Sequence, residues 1–218
     1  MRTVVAVLTY NRRDLFERTM ASLQGTALPF GLVVVDNGST DGTAERVQKL
    51  GGICNRTGNH MIGYGFRLAI EAALDQEPEL IVFSGDDYEY RDGWLERLAA
   101  FWEATPPKVA LATCHIEPTH AYNTILGTLD AGGQRALVRG TVPSASWTFR
   151  AGLWPEIETM VPGDVHMFDK NVCRYLRQSG RLLCALNLAE HLGHGKHSWT
   201  DKPFTFGVPV DFAKWGLA

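Results

Sequence analysis

Cysteine pairs, excess basic charge and long apolar runs are all missing from this sequence of 218 residues. The four cysteines form no CxxC pair, which favours reduced structural thiols over a disulfide framework or a zinc site: Cys54, Cys114, Cys173 and Cys184. The formal net charge of −3 argues against broad electrostatic binding to nucleic acid. No apolar run is long enough to span a bilayer, and no signal-peptide pattern follows Met1. We therefore expect a cytoplasmic protein.

The order of apolar and amphipathic segments predicts an α/β fold. Apolar runs at 4–8, 32–35 and 80–83 alternate with segments of helical periodicity, as in a largely parallel sheet covered by helices. Residues 116–148 are rich in Gly, Thr and Pro and predict antiparallel strands and loops. The run 182–188 is predicted to be the last strand. Nothing in the length or composition requires a second core.

An acidic pair, Asp86-Asp87, directly follows the apolar run 80–83. Side chains alternate between the two faces of a strand, so two adjacent carboxylates fit best where the strand ends and the chain turns. This carboxyl edge is where open α/β sheets bind ligands. A divalent cation would make the crowding favourable, because hard cations take oxygen ligands and the two charges otherwise repel. The alternative is an acidic turn that caps the next helix.

Two further loops carry groups that suit a nucleotide. Asp36 opens the loop 36–43 and can accept hydrogen bonds from a base or ribose, while Ser39, Thr40 or Asp41 can cap the following helix. The segment 55–67 has spaced glycines and polar side chains that would let the backbone approach a diphosphate: Asn55, Gly58, Asn59, Gly63, Gly65 and Arg67. Spaced glycines alone are weak evidence for such a site.

A lone aspartate and a group of histidines stand out in the last quarter of the chain. Asp169 begins the predicted helix 169–176, where it fits either an N-cap or a general base that faces a cleft. His191, His194 and His197 do not have the spacing of a closed zinc site. We favour a single histidine that completes a metal or diphosphate site.

Taken in order, five segments resemble the family 2 glycosyltransferases, which have the GT-A fold. The segments are 7–12 (VLTYNR), 34–43 (VVDNGSTDGT), 55–69, 85–87 together with 93–95, and 169–180. The second is a near-verbatim family motif, and the set covers most of the chain from residue 3 to about 200. The resemblance implies a Rossmann-like, mostly parallel central sheet flanked by helices, with a small antiparallel acceptor-side region.

The resemblance also implies how one domain, 1–218, is organised. The nucleotide-sugar-binding half would reach to about residue 113, the acceptor-side and catalytic half would cover about 114–200, and 201–218 would be a tail. The implied activity is an inverting, metal-dependent transfer of sugar from a nucleoside diphosphate sugar, UDP-linked by family preference, to an acceptor hydroxyl. The donor contacts implied by the family motifs are Thr9, Tyr10, Arg12, Asp36 near the base, Asn37, Asn55, Gly58 and Arg67.

The acidic pair matches the family's metal motif, which holds Mn²⁺ or Mg²⁺ on the donor diphosphate. Asp87 would be the direct ligand, and Asp86 would make a ribose or water-mediated contact. His194 resembles the family's late histidine and would touch the metal or the diphosphate. Asp169 matches the aspartate that deprotonates the acceptor hydroxyl.

The sequence departs from the family pattern in two motifs. Phe168 stands where the family has glutamate, and Asn171 stands where it often has a second acidic residue, so Asp169 is the only candidate base. The order Gly85-Asp86-Asp87 replaces the usual acidic residue, spacer and acidic residue. The division of labour between the two aspartates therefore stays open.

Other functional classes were weighed against this one. Gly-Asp-Asp also occurs in RNA-dependent polymerases, but the chain is short and its composition shows no basic template channel. A sugar-nucleotide nucleotidyltransferase would need the same sheet and metal, but no Gly-rich, Arg/Lys-bearing phosphate loop follows the first strand. A non-catalytic nucleotide- or glycan-binding module is supported only by the missing glutamate.

The acceptor stays open among a glycan, a lipid-linked molecule, a protein and a modified DNA base. Three aromatic side chains are candidates to stack on a sugar or a base of the acceptor, although packing in the core is the favoured role of each: Tyr122, Trp147 and Trp154. The aromatic residues of the tail have two candidate roles, as a lid over the cleft or as a contact between subunits of a homo-oligomer: Trp199, Phe204, Phe206 and Trp215.

Overall fold

The structure is a computed structural model that describes residues 1–55, 61–116, 124–163 and 168–192. Its strands are β1 (Thr3–Thr9), β2 (Gly31–Asp36), β3 (Ile53–Cys54), β4 (Leu80–Gly85), β5 (Tyr88–Tyr90), β6 (Val109–Thr113), β7 (Ile125–Ala131), β8 (Gln134–Arg139), β9 (Trp147–Arg150), β10 (Leu182–Ala185) and β11 (Ala189–His191). Its α-helices are α1 (Arg13–Leu23), α2 (Thr43–Lys49), α3 (Ile62–Leu74), α4 (Trp94–Ala104), α5 (Trp154–Ile157) and α6 (Asp169–Gln178).

A nine-stranded mixed sheet forms the centre, in the order β3-β2-β1-β4-β9-β6-β10-β8-β7. The strands β1, β2, β3 and β4 are mutually parallel, and α1 and α3 are among the helices that connect them. The apolar runs that predicted the first strands are buried except for the half-buried Leu32, as expected for parallel strands that helices cover on both faces. The predicted α/β fold with a mostly parallel core is confirmed.

The second half of the sheet is where the antiparallel strands lie. β9 is antiparallel to β4 and β6, while β7 and β8 form an antiparallel pair at one edge. These strands extend the central sheet instead of forming a sheet of their own. The predicted last strand, 182–188, is shorter in the structure: β10 ends at Ala185, and the chain turns to form β11, which pairs with β5 in a separate two-stranded sheet.

Two apolar layers hold the sheet between the helices. On one face, Phe66 of α3 packs against Phe83, Trp147 and Phe168, with ring centroids 4.3–5.8 Å apart. On the other face, α1 and α4 cover the sheet with a layer that includes Phe16. All four cysteines are free, and burial raises the pKa of the Cys173 and Cys184 thiols to about 12. No helix among the described residues is long and apolar enough to cross a membrane.

Candidate active site

The carboxyl ends of three parallel strands bring distant polar residues together. Thr9 ends β1 and is in register with Asp36, which ends β2, while Leu8 is in register with Gly85 at the end of β4. Parallel strands end at the same edge of a sheet, so the loops that follow β1, β2 and β4 open onto one region. The Asp86-Asp87 pair lies in this region, in the turn between β4 and β5.

Asp86 is buried and held by the loop that follows β1. Its Oδ2 atom accepts hydrogen bonds from the Thr9 hydroxyl at 2.8 Å and from the Tyr10 backbone N–H at 3.3 Å. Its Oδ1 atom lies 3.3 Å from Nη1 of Arg12. Residues 9–12 and Asp86, which the sequence assigned to one site from separate motifs, are thus in direct contact.

Arg12 bridges the two carboxylates. The same Nη1 atom that contacts Asp86 also donates to Oδ2 of Asp87. On its other side, Oδ2 of Asp87 is 3.2 Å from Nε2 of His191. The His191 ring stacks on Tyr88 with centroids 5.0 Å apart, so it is held in place from a second direction.

Burial and these partners separate the acidities of the two aspartates. Burial and the neighbouring Asp87 charge raise the pKa of Asp86 to about 6, although Arg12 and Thr9 act against this. Burial also acts to raise the pKa of Asp87, but the His191 hydrogen bond and the charges of His191 and Arg12 leave it below its usual value. Asp87 is therefore the more firmly ionised member of the pair.

Asp36, Asn37 and Asn55 form a second polar network beside the acidic pair. The Asp36 carboxylate accepts the backbone N–H groups of Gly38 and Ser39 at 3.0–3.2 Å. The Asn37 backbone N–H donates to the Thr9 carbonyl oxygen at 2.8 Å, and Nδ2 of Asn55 donates to Oδ1 of Asn37 at 2.9 Å. The network joins the ends of β1, β2 and β3. We call the surface formed by Thr9, Asp36, Asn37 and Asn55 the floor of the site.

The loop 36–43 is fastened to the loop after β1. Asn11 adopts a left-handed backbone conformation (φ 50°), in which its N–H donates to the Ser39 hydroxyl and its Oδ1 accepts from the Thr40 N–H, both at 2.8 Å. Oδ1 of Asp41 accepts from the N–H and hydroxyl of Thr43, the first residue of α2. The N-cap position itself is occupied by Gly42, so Asp41 satisfies the first N–H of α2 from one position earlier, while Ser39 and Thr40 contact Asn11.

Asp169 is the first residue of α6, at the same edge of the sheet as the acidic pair. The helix leads into β10, which is parallel to β6, so its first turn lies toward the carboxyl edge. The Asp169 Oδ1 atom accepts the Lys170 backbone N–H at 2.8 Å, and the N-cap position is occupied by Phe168. The N-cap interpretation of Asp169 is therefore wrong by one position, and its carboxylate is only partly buried.

Phe168 explains one departure from the family pattern. Its side chain is 1% exposed and packs between the rings of Phe66 and Trp147, at 4.9 and 5.7 Å. Both partners lie near the carboxyl edge, so this aromatic contact fixes the start of α6. Trp147 and Trp154 are also buried in this layer, which supports core packing over stacking on an acceptor.

One predicted site residue that the structure describes, Arg67, has its contacts outside this network. The Arg67 guanidinium donates to the Glu158 carbonyl oxygen at 2.8 Å and to Glu71 at 3.1 Å, and it lies over the Trp154 ring. These contacts anchor the segment after α5, and none of them is with the acidic pair, so a donor contact by Arg67 stays a prediction. Gly58 and His194 lie outside the described residues, as do Tyr122 and the aromatic residues of the tail.

His191 is the contact that sequence reasoning missed. It was one of three histidines in the late group, but His194 was preferred because of the family resemblance. The structure places His191 beside Asp87 because β11 pairs with β5 and its register sets His191 opposite Tyr88, the residue after Asp87. A short strand that follows a turn carries no strong sequence signal.

The residues present fit a magnesium or manganese ion held mainly by its substrate. Among the described residues, no three His, Cys, Asp or Glu side chains come together as a ready-made metal site. Mg²⁺ in phosphate-handling sites is commonly bound by only one or two carboxylates, with phosphate and water as the other ligands. Asp86 and Asp87 have four carboxylate oxygens between them. Three of these oxygens accept hydrogen bonds from Thr9, Tyr10, Arg12 or His191. The fourth, Oδ1 of Asp87, accepts none from the part of the chain that the structure describes.

The sequence profile of the family described as Glycosyl transferase family 2 matches residues 4–176. The chain belongs to this family, and the predicted GT-A glycosyltransferase class is confirmed. A comparison with curated proteins finds no match.

Solved structures with the same fold include two glycosyltransferases. TarS of S. aureus (residues 1–349), in complex with UDP, is 20% identical with a TM-score of 0.62, and the match covers 86% of this chain and 58% of that fragment. The same TarS fragment has also been solved with UDP-GlcNAc, at 19% identity and a TM-score of 0.61. The mannosyltransferase PcManGT from Pyrobaculum calidifontis, in complex with GDP-Man and Mn²⁺, is 20% identical with a TM-score of 0.55, and 84% of this chain matches 56% of that one. The chain thus spans less than two thirds of the length of these relatives.

Proposed function

We propose that the protein is an inverting, metal-dependent glycosyltransferase that moves a sugar from a nucleoside diphosphate sugar to an acceptor hydroxyl. The observation that carries this proposal is the buried Asp86-Asp87 pair at the carboxyl end of β4, in contact with Thr9 and Arg12. In a chain of family 2, a pair of carboxylates that needs a cationic partner at this edge indicates a site for a metal-bound diphosphate.

The donor would lie across the floor of the site and the end of β4. Asp36 would receive the base and Thr9, Tyr10 and Asn37 would line the nucleotide pocket. Arg12 would exchange part of its contact with the acidic pair for the donor's diphosphate. We favour a UDP-linked sugar, as in the UDP and UDP-GlcNAc complexes of TarS.

Asp87 would hold Mn²⁺ or Mg²⁺ through Oδ1, and Asp86 would contribute a ribose or water-mediated contact. When bound, the metal supplies Lewis-acid neutralisation of the charge that develops on the leaving diphosphate. Arg12 and His191 orient the Asp87 carboxylate through its other oxygen, Oδ2. Thr9 and Tyr10 fix Asp86 in the same way. The low pKa of Asp87 keeps it ionised for this role.

Asp169 would act as the general base. It would take the proton of the acceptor hydroxyl as that oxygen forms its bond to the anomeric carbon and the bond to the diphosphate oxygen breaks on the opposite face. One bond forms and one breaks at the anomeric carbon, so its configuration is inverted. The position of α6 supports this role, since its first turn lies toward the same edge as the acidic pair.

Calorimetry across a panel of nucleotide sugars tests the proposal. The panel contains UDP-glucose, UDP-GlcNAc, UDP-galactose and GDP-mannose, each titrated with Mn²⁺, with Mg²⁺ and with a chelator. We expect one of them to bind only when metal is present, and to be slowly hydrolysed without an acceptor. Failure of every donor to bind in a metal-dependent way would refute the function.

The same preparation separates the alternatives. A nucleotidyltransferase would release pyrophosphate from a nucleoside triphosphate and a sugar 1-phosphate, which glycosyl transfer does not do. A non-catalytic module would bind a nucleotide sugar without hydrolysing it or transferring its sugar to any acceptor.

A further inference from the structure

A cavity of about 560 Å³ lies beside α6, outside the proposed donor site. It is bounded by α6 on one side and by the turn that follows β8 on the other, and it is lined by Gly140, Thr141, Lys170, Arg174, Arg177 and Gln178. Its volume lies in the range of small-molecule sites, about 300–1,000 Å³.

The cavity is strongly cationic in a chain whose formal net charge is −3. Lys170, Arg174 and Arg177 follow one another at spacings of four and three residues, so they share one face of α6. The six described residues that line the cavity include no carboxylate. By contrast, Arg181 pairs with Glu156 and Arg135 pairs with Asp130.

The helix itself does not account for these cations. A cation in the last turn, such as Arg177, is favoured by the helix dipole, but a cation in the first turn, such as Lys170, is disfavoured by it. Arg177 donates Nη1 to the Gly140 carbonyl oxygen at 3.3 Å, which closes one end of the cavity. The exposed Arg174 makes no hydrogen bond or ion pair with the described part of the chain.

The lining of the cavity begins at Lys170, the residue after the proposed base, and continues toward the C-terminal end of α6. Lys170 directly follows Asp169, and the seven steps from Lys170 to Arg177 span about 10 Å along the helix axis at 1.5 Å per residue. A molecule whose hydroxyl reached Asp169 could therefore place an anionic group against Arg174 within the length of one or two sugar units. Arginine is well suited to such a group, since its planar guanidinium binds phosphate oxygens in pairs.

We propose that this cavity binds a phosphate group of the acceptor, so that the enzyme glycosylates a small phosphate-bearing molecule. This inference rests on the function proposed above, because it assigns the acceptor of that reaction. The small volume favours such a molecule over duplex DNA, whose binding needs many phosphate contacts across a broad basic surface.

Amide NMR titration with inorganic phosphate tests the site without any turnover. We expect phosphate to shift the resonances of the lining residues, and Arg174→Gln to weaken its binding by about three- to tenfold, the loss of one partly exposed charged contact. The double variant R174Q/R177Q should bind phosphate at least roughly tenfold more weakly than R174Q does. Added chloride salt should weaken the binding of phosphate by the wild type. Arg135→Gln, which removes the same charge elsewhere, should bind as the wild type. Absence of shifts around the cavity, or full binding by the double variant, would overturn the inference.

A matched acceptor panel tests the role in the reaction. The rates of sugar transfer to glycerol and to glycerol 1-phosphate are compared, and likewise those to glucose and to glucose 6-phosphate. Glucuronate serves as an acceptor with a different negative charge, and a short hydroxymethylated DNA duplex serves as a nucleic-acid acceptor. The inference requires that kcat/KM for the phosphorylated acceptor of a pair exceeds that for its neutral counterpart by at least about tenfold. It also requires that R174Q removes this preference by raising the KM for the phosphorylated acceptor. Preference for glucuronate, for DNA or for neutral acceptors would contradict it. Titration of the nucleotide-sugar panel with Mn²⁺ keeps the two proposals apart. Absence of metal-dependent binding by every donor refutes the donor function, whereas normal donor binding without a phosphate preference refutes only the acceptor site.

Discussion

The Nε2 atom of His191 lies 3.2 Å from the Oδ2 atom of Asp87, although the two residues are 104 positions apart in the chain. The contact exists because β11 returns to pair with β5 directly after the acidic turn. It lowers the pKa of Asp87 against the effect of burial and fixes one of its oxygens. His191 is therefore a positioning residue for the carboxylate that we propose as the direct metal ligand.

Replacing His191 tests this positioning role. Partners that orient a metal ligand commonly contribute about 10–100-fold to metal affinity, so His191→Ala should weaken Mn²⁺ binding in the presence of UDP by roughly that factor. His191→Gln should lose less, because its amide can still donate to Asp87. Electron paramagnetic resonance of free Mn²⁺ measures the affinity. Glu190→Ala, at an exposed position of the same strand, is the control and should bind Mn²⁺ normally. Equal losses in the Ala and Gln variants would argue for a purely structural role.

Arg12→Ala should destabilise the metal-free protein. The change leaves two adjacent buried carboxylates without their shared cation, and breaking a buried pair of this kind costs on the order of 2–4 kcal/mol. Because Mn²⁺ can take over part of the charge balance, it should raise the melting temperature of the variant more than that of the wild type. Chemical denaturation measures the first effect and calorimetric melting the second. Arg13→Ala, at the exposed neighbouring position, should change stability by about 0.5 kcal/mol or less. Similar stability losses in both variants would show that Arg12 is not the counterion of the pair.

The pKa of Asp86 predicts a pH-dependent difference between the wild type and Asp86→Asn. The pKa is raised to about 6 in the folded protein, so between pH 4 and pH 6 the folded state binds more protons at this site than the unfolded state. Asp86 therefore stabilises the metal-free fold most at low pH, and this contribution falls as the pH rises toward 6, by on the order of 2 kcal/mol. The free energies of unfolding of both proteins at pH 4, 5, 6 and 7 measure it. A difference that does not change with pH would contradict the shift.

Asp169→Asn should abolish transfer while leaving donor binding nearly intact. General-base catalysis contributes roughly 10²–10⁴-fold, so kcat/KM should fall by that factor once an acceptor is known. The donor affinity should stay within about a few-fold, because only proton removal in the transition state is lost. Glu45→Gln makes the same carboxylate-to-amide change in the first turn of α2 and should leave both quantities unchanged. Lost donor binding in Asp169→Asn would instead assign Asp169 to the structure of the donor site.

The sequence by itself determined the class of fold and most of the polar cluster at the carboxyl edge of the sheet. Buried parallel strands require continuous apolar runs, and the polar residues that directly follow such runs must meet at one edge. For this reason the motifs at Thr9, Asp36 and Asp86 could be assigned to a single site before any coordinates, and the structure joins them through hydrogen bonds. The second half was less predictable, since antiparallel strands such as β7 and β9 can join either a new sheet or the existing one.

Only the tertiary structure decided which groups partner the acidic pair. The sequence placed Asp86 and Asp87 next to each other, but it could not tell that Arg12 bridges them or that His191 approaches Asp87. Nor could it place Arg67, whose motif indicated the donor and whose contacts lie with Glu158 and Glu71. These outcomes depend on loop paths and on the pairing of a three-residue strand, which are set by contacts between residues far apart in sequence. Local pattern specifies where a strand ends, whereas long-range packing specifies what meets its end.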